Sequence, residues 1–444
     1  MHPDANLAAW SKAYHDALSF RYDGRVMDTS AYVATAAKRA KAASRLIGTE
    51  TSARKDDALR RLAKALVEQR SDVLAANGVD VAEARKAGLA EAMVDRLLLD
   101  DKRYAAMVGS VTDVLGLTDP SFETVTKVER PSGIRVTRMR VPLGLIGLVY
   151  EARPNATVEA SALTIKTGNA IILRGGSEAF RTNQALANVI RGALRDAGLP
   201  EDAVLLLETT DRDAVRALIQ QDAYVDLLIP RGGESLIRFV TENARVPVVQ
   251  HYKGVCHLYA DSGVDPELVA NVVMNAKMQR PSACNALECL LVDASAAPSV
   301  LPVVTKKLLA AGCELRGCPE TRAIAPEVRP ATDQDWGMEF LDRVLAIRVV
   351  RGLEGALAHI SEYGSGHTEA ILTKNDEHAA RFRREVDAAC IMVNASTRFH
   401  DGGELGLGAE LGIATSRLHW RGPMGLESLT TIKWVVDGEG QVRA

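Results

Sequence analysis

From Leu145 onward, apolar runs of strand length alternate with stretches of helical spacing, and this alternation restricts the fold more than any other feature of the chain. The runs are Leu145–Tyr150, Ala170–Leu173, Val204–Leu207, Val225–Ile229 and Val246–Val249. Helices are predicted between them over Thr157–Thr167, from Ser177 to Ala197, over Asp211–Gln220, and after Arg231-Gly232-Gly233. Strands interleaved with helices make a parallel sheet with right-handed crossovers. A second unit of the same kind begins at Val255–Ala260, with strands near Ala286–Val292, Val344–Val350, Ala370–Thr373 and Ile391–Asn394.

The flanks read differently. Ala31–Leu115 is helical, with Ala58, Leu59, Leu62, Leu66 and Val67 on one face and Lys55, Arg60, Arg61 and Glu68 on the wet side. From Glu123 the period shortens, and a Pro131-Ser-Gly turn joins two runs into a β-hairpin. Ser428–Val436 is a β-rich tail that needs a pairing partner, within the chain or on a neighbour. The segment up to Ser30, with Trp10, Tyr14 and Phe20, reads as an amphipathic appendage.

Composition narrows the function. The net charge of −3 over 444 residues gives no nucleic-acid footprint, although it leaves room for a local anion pocket. The longest apolar run, Val141–Tyr150, is too short for a bilayer span of about 20 residues, and Met1–Ser11 shows no secretory pattern. None of the 6 cysteines forms a Cys-x-x-Cys pair, so a reduced, cytoplasmic enzyme with free thiols is expected.

Three segments are candidates for chemistry. Leu173-Arg174-Gly175-Gly176-Ser177-Glu178 and Leu228-Ile-Pro-Arg231-Gly232-Gly233-Glu234 each sit between a strand and a helix. Such turns either bind a phosphate-bearing cofactor at the helix N-terminus or are plain βα connections. Arg280-Pro-Ser-Ala-Cys284-Asn285 places a cysteine in a polar loop before an apolar strand; it is either a nucleophile whose thiolate Arg280 and Asn285 can stabilise or a small buried core residue, the commonest fate of a free cysteine. Cys289, Cys313 and Cys390 read as core residues, and Cys318 as inert. His251-Tyr252-Lys253-Gly-Val-Cys256-His257 matches no metal-ligand spacing and reads as a strand, so no metal is expected. Gly402–Gly412 is a glycine-rich loop, either lining a pocket or connecting.

Several segments, in order, resemble the gamma-glutamyl phosphate reductases. They are Tyr150-Glu-Ala-Arg-Pro-Asn155, Ile172–Glu178, His251–His257, Val350–Ile371 and Val393-Asn-Ala-Ser-Thr-Arg398-Phe-His400-Asp-Gly-Gly403. The resemblance covers about Ala31 to the C-terminus, and that family is similar to the aldehyde dehydrogenase superfamily. It implies an α/β fold with two doubly wound parallel-sheet domains and a small β oligomerisation hairpin. The implied division is 1–30 as extension, 31–122 with 141–252 as NADPH-binding domain, 253–425 as catalytic domain, and 123–140 with 426–444 as oligomerisation strands.

The resemblance also implies the chemistry: NADPH-dependent reduction of glutamyl 5-phosphate to glutamate 5-semialdehyde, with release of phosphate. Cys284 is the implied nucleophile, and its backbone N–H with Asn155 the implied oxyanion donors. Glu339 resembles the carboxylate that holds a cofactor ribose. Where NAD-dependent members of the superfamily carry a carboxylate, Ser177 stands here, and Arg174 adds a guanidinium suited to a 2′-phosphate. His251 stands where hydrolytic members have a general-base glutamate. Arg280, Arg398, His400 and Glu404 are candidates for holding the glutamyl amino and carboxylate groups. A homo-oligomer, dimer or tetramer, is implied, and a glutamate 5-kinase is a possible partner because acyl phosphates are labile. The alternatives are another thiol-dependent dehydrogenase or a non-catalytic scaffold.

Overall fold

Leu145–Tyr150 is buried at every position, as an unbroken apolar run requires of a strand covered on both faces. It lies at the centre of the first of two units in the computed structural model, which describes residues 21–22, 25–26, 28–250 and 252–443. The first unit comprises residues up to Val248 together with Leu429 onward, and the second comprises Val249–Ser428. Trp10, Tyr14, Phe20 and His251 lie outside the described residues.

Between Thr124 and Arg231 the strands of the first unit are β1 (Thr124–Glu129), β2 (Arg135–Pro142), β3 (Leu145–Tyr150), β4 (Ala170–Arg174), β5 (Val204–Leu206) and β6 (Leu227–Arg231). The last four form a parallel sheet in the order β5-β4-β3-β6. The helix Thr29–Ile47 packs on it with Val33 and Ile47 buried, while Ser52–Glu68, with Leu59, Leu62 and Leu66 buried, packs against the helices Asp101–Gly116, Pro154–Lys166 and Phe180–Asp196. Two details of the amphipathic reading are corrected. Val67 is 61% exposed, whereas Lys55 is 1% exposed. The Lys55 ammonium is buried because Asp119 Oδ2 lies 2.5 Å from it, which compensates the charge.

The predicted hairpin is present, with β1 antiparallel to β2 and Gly133 at φ +82° in its turn. The C-terminal strand, Thr430–Asp437, pairs antiparallel with β2 along its whole length. Asn169 fastens its start, donating through Nδ2 to the Leu429 carbonyl at 2.8 Å. The predicted strand Val246–Val249 is not one: only Val248 bridges to Leu228. Pro247 sits mid-run and has no N–H to give to a ladder.

The second unit holds a seven-stranded parallel sheet. Its strands are β7 (Cys256–Ala260), β8 (Leu287–Asp293), β9 (Glu314–Gly317), β10 (Arg329–Pro330), β11 (Val344–Val350), β12 (Thr368–Leu372) and β13 (Cys390–Val393). Their order is β10-β9-β11-β8-β7-β12-β13. Sequence reading found the central strands and missed β9 and β10, which are short and carry Glu314, Arg316 and Arg329. The predicted strand across His251–His257 shrinks to its last two residues, since β7 begins at Cys256. Among the described residues no helix is long and apolar enough to cross a membrane.

Candidate active site

In the second unit, Cys284 lies in the loop that enters β8. Turn bonds from Ala283 N to the Arg280 carbonyl (3.1 Å) and from Ala286 N to the Ala283 carbonyl (2.9 Å) shape that loop. Cys284 is half-buried, while Cys256, Cys289, Cys313 and Cys318 are buried. Burial pushes the thiols of Cys256 and Cys289 far up, and those of Cys313 and Cys390 up to about 11. A thiol held protonated is a poor nucleophile, so these four are unsuited to attack.

The backbone around Cys284 is gripped from two sides. A Cβ on Gly254 would fall 1.9 Å from the Cys284 carbonyl oxygen, so only glycine allows the two main chains to lie this close. Gly254 N in turn donates to Glu339 Oε1 at 2.9 Å. The Cys256 thiol donates to the Cys284 carbonyl at 3.3 Å. Behind this, the buried Lys277 ammonium meets Glu288 Oε2 at 2.5 Å. Burial pushes the Glu288 carboxyl up to about 7, against the pull of Lys277.

Asn285 anchors the far side of the loop, donating through Nδ2 to the His400 carbonyl at 2.9 Å. Arg398 donates to Asn285 Oδ1 and, through Nε, to Gln279 Oε1 at 2.8 Å. Burial and the like charge of Arg280 lower the Arg398 pKa. Arg280 is exposed and has no ion partner among the described residues. The reading of His400 as a substrate contact is corrected. It is 0% exposed, with Nδ1 2.7 Å from the Thr368 hydroxyl, so it braces the loop from inside.

His257 is likewise buried, with Nδ1 3.0 Å from Glu369 Oε2. It groups with Cys289 and His359, their ligand-type atoms all within 4.8 Å of one another. Spacing could not show this trio, because the residues come from three different elements. Arg348 Nη1 lies 3.0 Å from His359 Nδ1, which places the imidazole proton on Nε2, toward Cys289, and works against an ion there.

In the first unit, each glycine turn already holds a carboxylate. Glu178 Oε1 accepts from Ala152 N at 2.7 Å, and a Cβ on Gly176 would meet that carboxylate at 2.2 Å. Glu151 Oε2 accepts from Gly233 N at 2.9 Å, at the start of the helix Glu234–Asn243. The N–H that the sequence reading offered to a phosphate at the second turn is therefore taken by Glu151. Neither carboxylate was singled out from sequence, because nothing local ties Glu151 to a turn 82 residues away.

Arg174 also departs from expectation. It is 6% exposed, and it donates to the carbonyls of Gly175, Thr210 (3.1 Å) and Asp211 (3.0 Å), which makes it a strut between two loops. Its Nε is buried without a partner. Ser177 is exposed at the entry to the turn before the helix Phe180–Asp196. The exposed Ser177 and the unspent Arg174 Nε, three residues apart in the chain, fit a phosphorylated nucleotide at this first turn. Asn155, the second residue of the helix Pro154–Lys166, donates through Nδ2 to Glu159 Oε1 at 3.0 Å.

Parallel-sheet units and a backbone-gripped cysteine loop define an aldehyde-dehydrogenase-like protein. Residues 25–318 match the aldehyde dehydrogenase family, and the chain belongs to it. A gamma-glutamyl phosphate reductase of Sorangium cellulosum is 54% identical over 411 residues, 91% of this chain and 96% of the relative. One from Desulfatibacillum aliphaticivorans is 49% identical over 94% of this chain and 100% of its own length. The solved structure of the gamma-glutamyl phosphate reductase of Thermotoga maritima superposes with a TM-score of 0.91. It is 46% identical and covers 93% of this chain and 100% of its own. Within the family, the chain sits among the gamma-glutamyl phosphate reductases. Proteins of the aldehyde dehydrogenase family use a catalytic cysteine and nicotinamide cofactors.

Proposed function

We propose that this chain reduces gamma-glutamyl phosphate to glutamate 5-semialdehyde with NADPH and releases phosphate, the second step of proline synthesis from glutamate. The observation that carries the reading is Cys284, half-buried in a loop gripped through its backbone while burial disables four other thiols. Cys284 Sγ attacks the acyl carbon, the carbon–oxygen bond to phosphate breaks, and phosphate leaves with the electron pair. The resulting thioester carbon takes a hydride, which is the chemistry a bound nicotinamide cofactor supplies. The tetrahedral oxyanion then re-forms its carbonyl and expels the Cys284 thiolate, leaving the aldehyde.

The Cys284 N–H and the Asn155 amide stabilise the oxyanion, each such donor being worth about 3 kcal/mol. Asn155 Nδ2 bears two hydrogens, and Glu159 takes one. Arg280 and Arg398, mutually repelling, with Arg398 in electrostatic reach of Cys284, suit the anionic groups of the substrate. Glu339 and the two glycine turns, with Arg231 beside the second, serve the cofactor, and Glu151 gives way when a phosphate binds at Gly232-Gly233. Val125, Val128, Trp434 and Val436 are exposed on the three-stranded sheet, which supports a homo-oligomer assembled through 123–140 and 426–444.

The reverse reaction tests the proposal. Glutamate 5-semialdehyde with NADP⁺ yields NADPH only when phosphate is present, and little free glutamate forms. Efficient NADP⁺ reduction in phosphate-free buffer, with stoichiometric glutamate, refutes it. A second measurement addresses the cofactor. Ser177→Glu weakens NADPH binding roughly tenfold more than NADH binding, by repulsion of the 2′-phosphate. Equal losses for both cofactors place Ser177 away from that ribose.

A further inference from the structure

Lys277 and Glu288 are both buried, at 0% and 1% exposure, and neither is used by the reaction as written. Lys277 is the penultimate residue of the helix Pro266–Met278, and Glu288 is the second residue of β8, four positions after Cys284. One Glu288 oxygen, Oε2, meets the Lys277 ammonium at 2.5 Å. The other, Oε1, accepts from Leu341 N at 3.3 Å. Leu341 has φ +53°, a left-handed conformation that a leucine holds only when its surroundings enforce it. Phe340 lies between, its ring centroid 5.9 Å from Lys277 Nζ and 5.3 Å from Arg316 Cζ. Glu339, next along, accepts from Gly254 N, and Gly254 lies against the Cys284 main chain.

These contacts form one continuous path: ion pair, Leu341 amide, Glu339 carboxylate, Gly254 amide, Cys284 backbone. We propose that Lys277 and Glu288 are positioning residues, which hold the 339–341 turn in its left-handed form so that Glu339 keeps Gly254 against the nucleophile loop. The functional element is the Oε1 acceptor for Leu341 N, with Lys277 serving to keep that carboxyl in place. This rests on the reading of Cys284 as the nucleophile.

The alternative is that the pair is only a buried ion pair, replaceable by apolar side chains without cost. Removing one partner alone strands a buried charge, so the test uses double variants. Lys277→Met with Glu288→Gln keeps an acceptor at the Oε1 position and removes both charges. Lys277→Met with Glu288→Met removes the acceptor as well. Both are compared with the full-length wild-type enzyme by thermal melting, by the rate of Cys284 alkylation with iodoacetamide, and by kcat and KM.

The Met/Gln variant keeps Cys284 alkylation and kcat within threefold of wild type. The Met/Met variant melts within a few degrees of wild type yet loses tenfold or more in both. Wild-type alkylation and kcat in the Met/Met variant overturn the proposal, as do equal losses in the two variants. Should the Met/Met variant fail to fold, the Met/Gln variant, which strands no charge, decides by hydrogen exchange. An unchanged rate at the Leu341 and Gly254 amides supports the acceptor role, and faster exchange at both overturns it. Failure of the nucleophile reading itself shows separately, as slow Cys284 alkylation in the wild-type enzyme.

Discussion

Cys284→Ser abolishes turnover, by at least ~1,000-fold in kcat, while NADPH binding followed by fluorescence titration stays within about twofold of wild type. A serine hydroxyl at neutral pH is a far weaker nucleophile than a thiolate, and the substitution removes little volume from a half-buried side chain. Mass-spectrometric mapping after brief iodoacetamide treatment finds Cys284 modified first among the 6 cysteines. The reason is electrostatic: burial holds Cys256, Cys289, Cys313 and Cys390 protonated. Modification of Cys289 or Cys390 ahead of Cys284, with matching loss of activity, assigns the chemistry elsewhere.

Gly254→Ala is the second substitution with a large effect. The added methyl carbon would sit 1.9 Å from the Cys284 carbonyl oxygen and 2.9 Å from its Cα, both main-chain atoms that have no rotamer to change. One of the two segments has to shift by an ångström or more. A displacement of that size at a reacting centre costs roughly 100-fold in kcat/KM. Gly78→Ala is the control, since a Cβ there meets nothing within 4 Å and Gly78 lies inside the helix Arg70–Lys86. That change raises stability by about 0.5–1 kcal/mol and leaves activity alone. Similar kinetics for the two variants show that the Gly254 contact is immaterial.

How much of this was legible in the sequence follows from what each feature depends on. The central strands were, because burial on both faces writes an unbroken apolar run, as in Leu145–Tyr150 and Leu287–Asp293. The Val246–Val249 run was misleading because apolar character does not supply the N–H that Pro247 lacks. Site residues were legible by type and not by partner. Arg174 and His400 are of the right chemistry for a phosphate and a substrate, yet the fold spends one on three carbonyls and buries the other beside Thr368. Glu151, Glu178 and Glu288 were passed over because their partners are remote in the chain or distinguished only by burial. Gly254 lies inside the family-like segment His251–His257, but its need for glycine arises from a main chain 30 residues away.

The C-terminal strand has a consequence for how the protein is made. Thr430–Asp437 completes the antiparallel sheet of the first unit, although all of Val249–Ser428 stands between it and the rest of that unit. On the ribosome, β1 and β2 emerge early and wait, with β2 offering an unpaired edge, until the entire second unit has been translated. The order of synthesis is thus not the order of completion. The second unit, continuous in the chain, can finish folding first, and the first unit closes only when the tail arrives.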